Sequence, residues 1–456
     1  MYFRLFSNYS YYGRRHADFP CFFPTGMVYC RRTEYETKPK GDFFMKHIGK
    51  TALRAYAKLI ADKGANVQKG QEVFIAAELD CPDFVTLLVD ECYKHGAKKV
   101  VVDWSHQPIT RLHYRRRTAT VLSKFEKYEE ARWQHYVDTF PCRIYLHSED
   151  PDGLKGVPTE KLAKSQQKRF AAIKPYRDKL DNQYQWCIAA VPGLAWAKKV
   201  FPKLSAPHAV EALWGAILAA SRAWEGTDPV ENWNKHNKDL SDRCAYLNSL
   251  GVESLHYRSS NGTDFTVGMI PQAVFKGGKD ETLSGVSFNP NIPSEECFIS
   301  PMKGKAEGTV VSTKPLSYQG QVIDGFRIRF ENGKAVEWHA EKNEELLGKI
   351  VTMDEGSAYL GECALVPVDS PISESGLLFY NTLFDENASC HLALGRGFSD
   401  TIRGFESMSL EECRALGVND SMVHVDFMIG APDLSIDAKT KDGRTVPVFR
   451  NGTWAF

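Results

Sequence analysis

His424 and Asp426 stand two residues apart in the apolar run 422–428. Side chains alternate along a strand, so the two point to one face. Ionisable groups on a buried strand need partners, because an uncompensated buried charge is costly. A divalent ion bound by imidazole and carboxylate meets that need. A His–Asp pair hydrogen-bonded within a core meets it too. Glu362 lies in a similar run, 359–367, either as a ligand or as an edge-strand acid facing water. His391, in 387–395, is a ligand or a satisfied core histidine. Glu295 and Glu296 follow Ser294, where they could simply complement the dipole of a capped helix.

Each of these signals is weak by itself; together they suggest one site. Glu296, Glu362, His391, His424 and Asp426 offer three carboxylates and two imidazoles. That is about what two divalent ions sharing a bridging carboxylate need. Mixed nitrogen and oxygen ligation suits zinc, cobalt or manganese. The 11 cysteines include no CxxC pair, so a purely structural zinc is not expected. Cys390 adjoins His391, but neighbours on a strand face opposite sides. Cys390 therefore reads as a small buried hydrophobe rather than half of a Cys–His nucleophile.

The elements that must position these residues fall into two groups. Leu53, Tyr56, Ala57 and Ile60 share one face of a first helix, which Gly64 would end in the left-handed conformation. The run 73–77, a helix opened by Pro82 and closed by Gly96, and the run 100–102 form a βαβ unit with parallel strands. Residues 144–146 and 187–191 read as further core strands, and Arg115-Arg116-Arg117 as a solvated helix face. After about residue 205 a buried helix carries Val210, Leu213, Trp214 and Ile217, and a polar helix starts at Pro229. Hairpins follow, with Asn261-Gly262 and Asn332-Gly333 between alternating segments. The expected architecture is α/β: an N-terminal α/β domain (45–205) with a mainly parallel sheet, then a C-terminal α+β catalytic domain (206–456).

Residues 1–44 contain 13 Phe or Tyr, carry a net charge of +3 and show no periodicity. They read as translated leader or as a poorly ordered arm before a native start at Met45. Lys plus Arg and Asp plus Glu both number 57, which argues against a nucleic-acid partner. No apolar run of about 18 residues signals a membrane span. Scattered cysteines suit reduced thiols in the cytoplasm.

The sequence resembles the aminopeptidase T/aminopeptidase S family of two-metal metallopeptidases, the thermophilic aminopeptidases. The resemblance spans about 45–456 and rests on 195–202, 291–296, 312–316, 359–367, 369–391 and 424–430. It implies Glu296, Glu362, His391, His424 and Asp426 as ligands of two divalent ions, and a homodimer with a largely enclosed site. It also implies removal of N-terminal residues from short peptides by a metal-activated water. Glu295, beside a ligand, is the expected general base, with Glu362 the alternative. Members of the family carry a tyrosine seven residues after the metal-binding histidine, where this chain has Phe398. Another donor such as Tyr380 then fills the role, or the loop takes another course. Rival readings are a different two-metal hydrolase, an amidohydrolase or esterase, and a peptide-binding homologue that has lost catalysis. Retention of all five ligands argues against the last.

Overall fold

The computed structural model describes residues 48–224 and 226–456. The expected arm 1–44 and the helix start at Met45 lie outside them. Helix α1 (Lys50–Leu59) runs into a single π-helical turn, Ile60–Gly64. Gly64 has no positive φ, contrary to its expected capping conformation. It is needed for space, since a Cβ there would stand 2.6 Å from the Cys187 Sγ.

Strands β1 (Glu72–Glu78), β2 (Lys99–Ser105), β3 (Cys142–His147) and β4 (Trp186–Ala190) form a parallel sheet in the order β2-β1-β3-β4. Helix α2 (Pro82–Lys94) crosses from β1 to β2, with proline at its first turn and Gly96, at φ +95°, just past its end. The sheet is two-sided. Val73, Ile75 and Ala77 join α1, α2 and the buried helix Ala206–Ala220 in one core. Phe74 faces the other way, against Tyr136 and Leu180 of the helices Lys127–Thr139 and Thr159–Leu180.

The rest is mostly antiparallel. Nine strands make a large sheet containing both predicted hairpins: Val252–Arg258 with Asp264–Met269, and Gln321–Glu331 with Lys334–Lys342. At the second turn both Asn332 and Gly333 adopt positive φ, as a tight hairpin requires. A smaller sheet pairs Cys297–Ile299, Leu360–Leu365, His391–Gly395 and His424–Met428, all antiparallel. Cys363, Leu365, Leu392, Leu394, Val425 and Phe427 bury one of its faces in a second core shared with the large sheet.

One stretch belongs to both cores. Phe379, Leu383, Phe384 and Ala388 pack in the first; Cys390, Leu392 and Leu394 pack in the second. Trp196 fastens the former segment: it is fully buried, its Nε1–H donates to the Phe379 carbonyl, and its ring meets Phe384 at 6.0 Å. Trp196→Ala is expected to lower unfolding free energy by about 3–5 kcal/mol, measured by denaturant titration. A loss below 1 kcal/mol would contradict this anchoring role.

Candidate metal centre

The pleat of the small sheet builds the site. With one face given to the core, Glu362, His391, Ala393, His424 and Asp426 take the other. Glu362 and Asp426 stand opposite Ala393 from either side, in register. Two strand spacings separate them, roughly 9–10 Å between backbones. The small Ala393 side chain leaves the room above it open, and both carboxylates lean in. Glu296, just before Cys297–Ile299, reaches the same place.

Ligand atoms of Glu296, Glu362 and His391 lie within 4.8 Å of one another, as do those of Glu362, His424 and Asp426. Glu362 belongs to both groups. His391 Nε2 is 3.1 Å from Glu296 Oε2, and His424 Nε2 is 3.0 Å from Glu362 Oε2 and 3.2 Å from Asp426 Oδ1. Each imidazole uses its other nitrogen on backbone carbonyls: His391 Nδ1 on Glu386 (3.0 Å) and Ser389 (3.1 Å), His424 Nδ1 on Arg396 (2.7 Å). A carbonyl only accepts, so Nδ1 carries the proton and Nε2 is turned to the centre, as a metal-binding histidine needs. Asp426 Oδ1 is buried and, although His424 Nε2 lies 3.2 Å away, has no partner in good hydrogen-bond geometry among the described residues. Converging Nε2 and carboxylate atoms, with such an orphaned oxygen among them, fit divalent ions.

The electrostatics agree. Burial works against charge on His391, but Glu296, with Glu362 and Asp426 behind it, pushes its pKa up to about 10. Burial likewise opposes charge on His424, and Asp426 and Glu362 raise it well above the ordinary imidazole value. Burial, aided by Glu296 and Asp426, pushes Glu362 up to about 7 against its His424 hydrogen bond. Asp426 is held down by His424 and His391 despite its burial. The protein without ions thus recruits protons as cations.

A sixth group, Glu386, is not singled out by sequence reasoning. It sits in the 3-10 turn Glu386–Ala388, where no period exposes its direction. Its carboxyl is buried and, among the described residues, has one side-chain hydrogen bond, from Asn387 Nδ2 at 3.3 Å. Burial and the charges of Asp426 and Glu296 raise its pKa well above the carboxylate range. Glu386 and the five ligand candidates all line one cavity of about 1770 Å³.

Glu295, expected as the base, does not line that cavity. Arg222 grips both of its carboxylate oxygens, and its backbone N–H donates to Asn387 Oδ1 at 2.7 Å. Its carboxylate is committed to fixing the segment that carries Glu296. Cys390 is equally unsuited to chemistry: its Sγ lies 3.3 Å from the Val366 carbonyl, and burial pushes its pKa up to about 12. Phe398 does reach the centre, its ring centroid 4.9 Å from that of His424, so the loop after His391 keeps its course. Tyr380 lines the same cavity, with Lys199 Nζ 5.0 Å above its ring.

The family model for thermophilic metalloprotease (M29) matches residues 49–454. The chain belongs to this metalloprotease family. It is 42% identical over 405 residues to aminopeptidase AmpS of Bacillus subtilis, covering 89% of this chain and 98% of that one. It is 37% identical over 406 residues to aminopeptidase T of Thermus aquaticus, covering 88% and 98%. The solved structure of wild-type AmpT from Thermus thermophilus superposes with a TM-score of 0.80 at 36% identity, covering 89% of this chain and all of that one. The fold and family expectations are thereby borne out.

Metal binding should displace the recruited protons. Both imidazoles have raised pKa values, so at pH 7 both are charged without metal and must be neutral to ligate. The sign follows: apparent affinity falls as pH falls and rises with pH toward about 10, the His391 value. Calorimetry of zinc binding at pH 7 in buffers of different ionisation enthalpy should show at least about two protons released per chain, two from the imidazoles and a further fraction from Glu362, whose pKa is about 7. No release would contradict the assignment of these imidazoles as ligands.

Proposed function

We propose that this metal-dependent aminopeptidase works with two divalent ions, zinc, cobalt or manganese, that share Glu362. Glu296 and His391 complete one site; His424 and Asp426 complete the other. The observation that carries this reading is the membership of Glu362 in both ligand groups. Bound there, divalent ions polarise a carbonyl oxygen and make water acidic enough to attack at neutral pH.

The chain's own residues supply the rest. The carbonyls of Glu386, Ser389 and Arg396 hold the two imidazoles in one tautomer. The buried carboxylates give a peptide's free α-amine a negative surface, which favours action at the N-terminus. Glu386 belongs to neither ligand group, so we assign it the proton: its carboxylate takes one from the attacking water and returns it to the leaving amine. Phe398, beside His424, offers no hydroxyl to a developing oxyanion. The unpaired thiols among the described residues accord with a reducing, cytoplasmic setting. No helix among them is long and apolar enough to cross a membrane. Trp104, Ile109 and Leu112, exposed on the flank of the parallel sheet, accord with a homodimer.

Metal analysis after dialysis should find about two ions per chain. His424→Ala should lower the content and cut peptide hydrolysis at least about 10³-fold. Glu386→Gln should keep the content and lower kcat about 10²–10⁴-fold, whereas loss of an ion would make Glu386 a ligand instead. Activity on esters or simple amides with none on peptides would favour the rival hydrolase.

Phe398→Tyr should raise kcat on peptides, by no more than about 10²–10³-fold. An unchanged kcat would mean that another donor, such as Tyr380, already serves.

A further inference from the structure

The cavity has cations on its walls that the metal centre does not use. Alternation along β3 sends Cys142, Ile144 and Leu146 into the first core, and Arg143, Tyr145 and His147 into the cavity. From the helix Thr159–Leu180, Arg169, Ile173 and Arg177 stand four residues apart on one face and line the same space. Arg169 is paired with Glu129 at 2.6 Å. Among the described residues, neither Arg143 nor Arg177 forms an ion pair.

Aromatic faces hold these two guanidinium groups instead. Arg143 lies 4.8 Å from the Tyr136 ring and 5.2 Å from the Tyr145 ring, and Arg177 lies 5.5 Å from the Phe170 ring. A guanidinium has five N–H donors, so even with Arg143 hydrogen-bonded to Tyr184 both groups keep donors for a planar anion. The surrounding protein and the nearby charge of Arg396 lower the pKa of Arg177, against the opposite pull of Tyr184 and Asp181. Arg396 is itself matched by Asp181 at 2.7 Å, and its carbonyl holds His424. One connected wall therefore joins the unmatched guanidinium groups to the metal centre.

Along a lining that mixes apolar and polar side chains, the cavity carries buried carboxylates at the metal centre and, on another part of its wall, guanidinium groups without ion pairs among the described residues. A free short peptide carries the complementary pattern, an ammonium at one end and a carboxylate at the other. We infer that Arg143 and Arg177 form a carboxylate subsite that takes the C-terminus of short peptides whose N-terminus lies at the metal centre. This rests on the aminopeptidase reading and adds a substrate class to it: peptides short enough to span the cavity, with an unblocked C-terminus. At about 1770 Å³, the cavity exceeds the roughly 300–1,000 Å³ of a usual small-molecule site, as a peptide of several residues requires.

The test compares tri- and tetrapeptide free acids with their C-terminal amides, using the metal-loaded full chain. The acids should be cleaved with kcat/KM at least about tenfold above the amides, the scale of a charge-assisted hydrogen bond. Arg177→Gln and, separately, Arg143→Gln should bring that ratio toward one through a higher KM for the acids. Lys168→Gln removes the same charge from an exposed position off the cavity wall and should leave the ratio unchanged. A reduced-bond tripeptide acid should bind more tightly than its amide by calorimetry, and Arg177→Gln should abolish the difference. Peptide hydrolysis without preference for acids, or a variant that affects acids and amides alike, overturns the subsite alone. Hydrolysis of neither by metal-loaded protein overturns the aminopeptidase reading and the subsite with it.

Discussion

Carboxylates brought together in a buried place cannot all be charged unless cations lie among them. Glu296, Glu362, Glu386 and Asp426 are in that position, and the rest of the molecule answers to it. Burial, aided by their mutual charge, raises Glu362 and Glu386, and the carboxylates raise both imidazoles against the burial of the rings. A fold selected for stability alone would have little use for such a group, since apolar residues of similar volume often serve a core as well or better. The arrangement makes sense as a cation trap whose occupant is supplied from solution.

A four-stranded sheet with two unlike faces holds the trap open. Leu392, Leu394, Val425 and Phe427 press one face into the second core, which keeps the strands in register. The same pleat obliges Glu362, His391, His424 and Asp426 to appear on the other face, over the small Ala393. A slip by one residue would send the ligands into the core and the leucines into the cavity. Hydrophobic burial thus sets how the candidate ligands are arranged, from the opposite face of the sheet.

Much of this was legible in the sequence because strands have a strict period. An acid or histidine inside an apolar run, as at Glu362, His391 and the His424–Asp426 pair, declares its face at once. The parallel strands and both Asn-Gly hairpins were readable for similar reasons. Glu295 and Glu296 show where periodicity stops helping. They lie in irregular chain, and only the structure shows one carboxylate on Arg222 and its neighbour in the cavity. Glu386 is hidden likewise in a short 3-10 turn. The helix Thr159–Leu180 is strongly charged, with Pro175 inside it, so its cavity-facing arginines look like ordinary solvated residues. The helix Ala206–Ala220 follows the change in sequence character near 205, yet it packs in the first core. Contacts so distant in sequence leave no local mark.

The stretch from Phe379 to Leu394 is rooted in one core at its start and in the other at its end, with Glu386 and His391 at the seam. Moving the two cores apart would pull on the run between Ala388 and Cys390, where the Glu386 and Ser389 carbonyls hold the His391 ring. The orientation of one candidate ligand is thereby tied to the joint between the cores, so strain at that joint would be felt as a turn of a single imidazole.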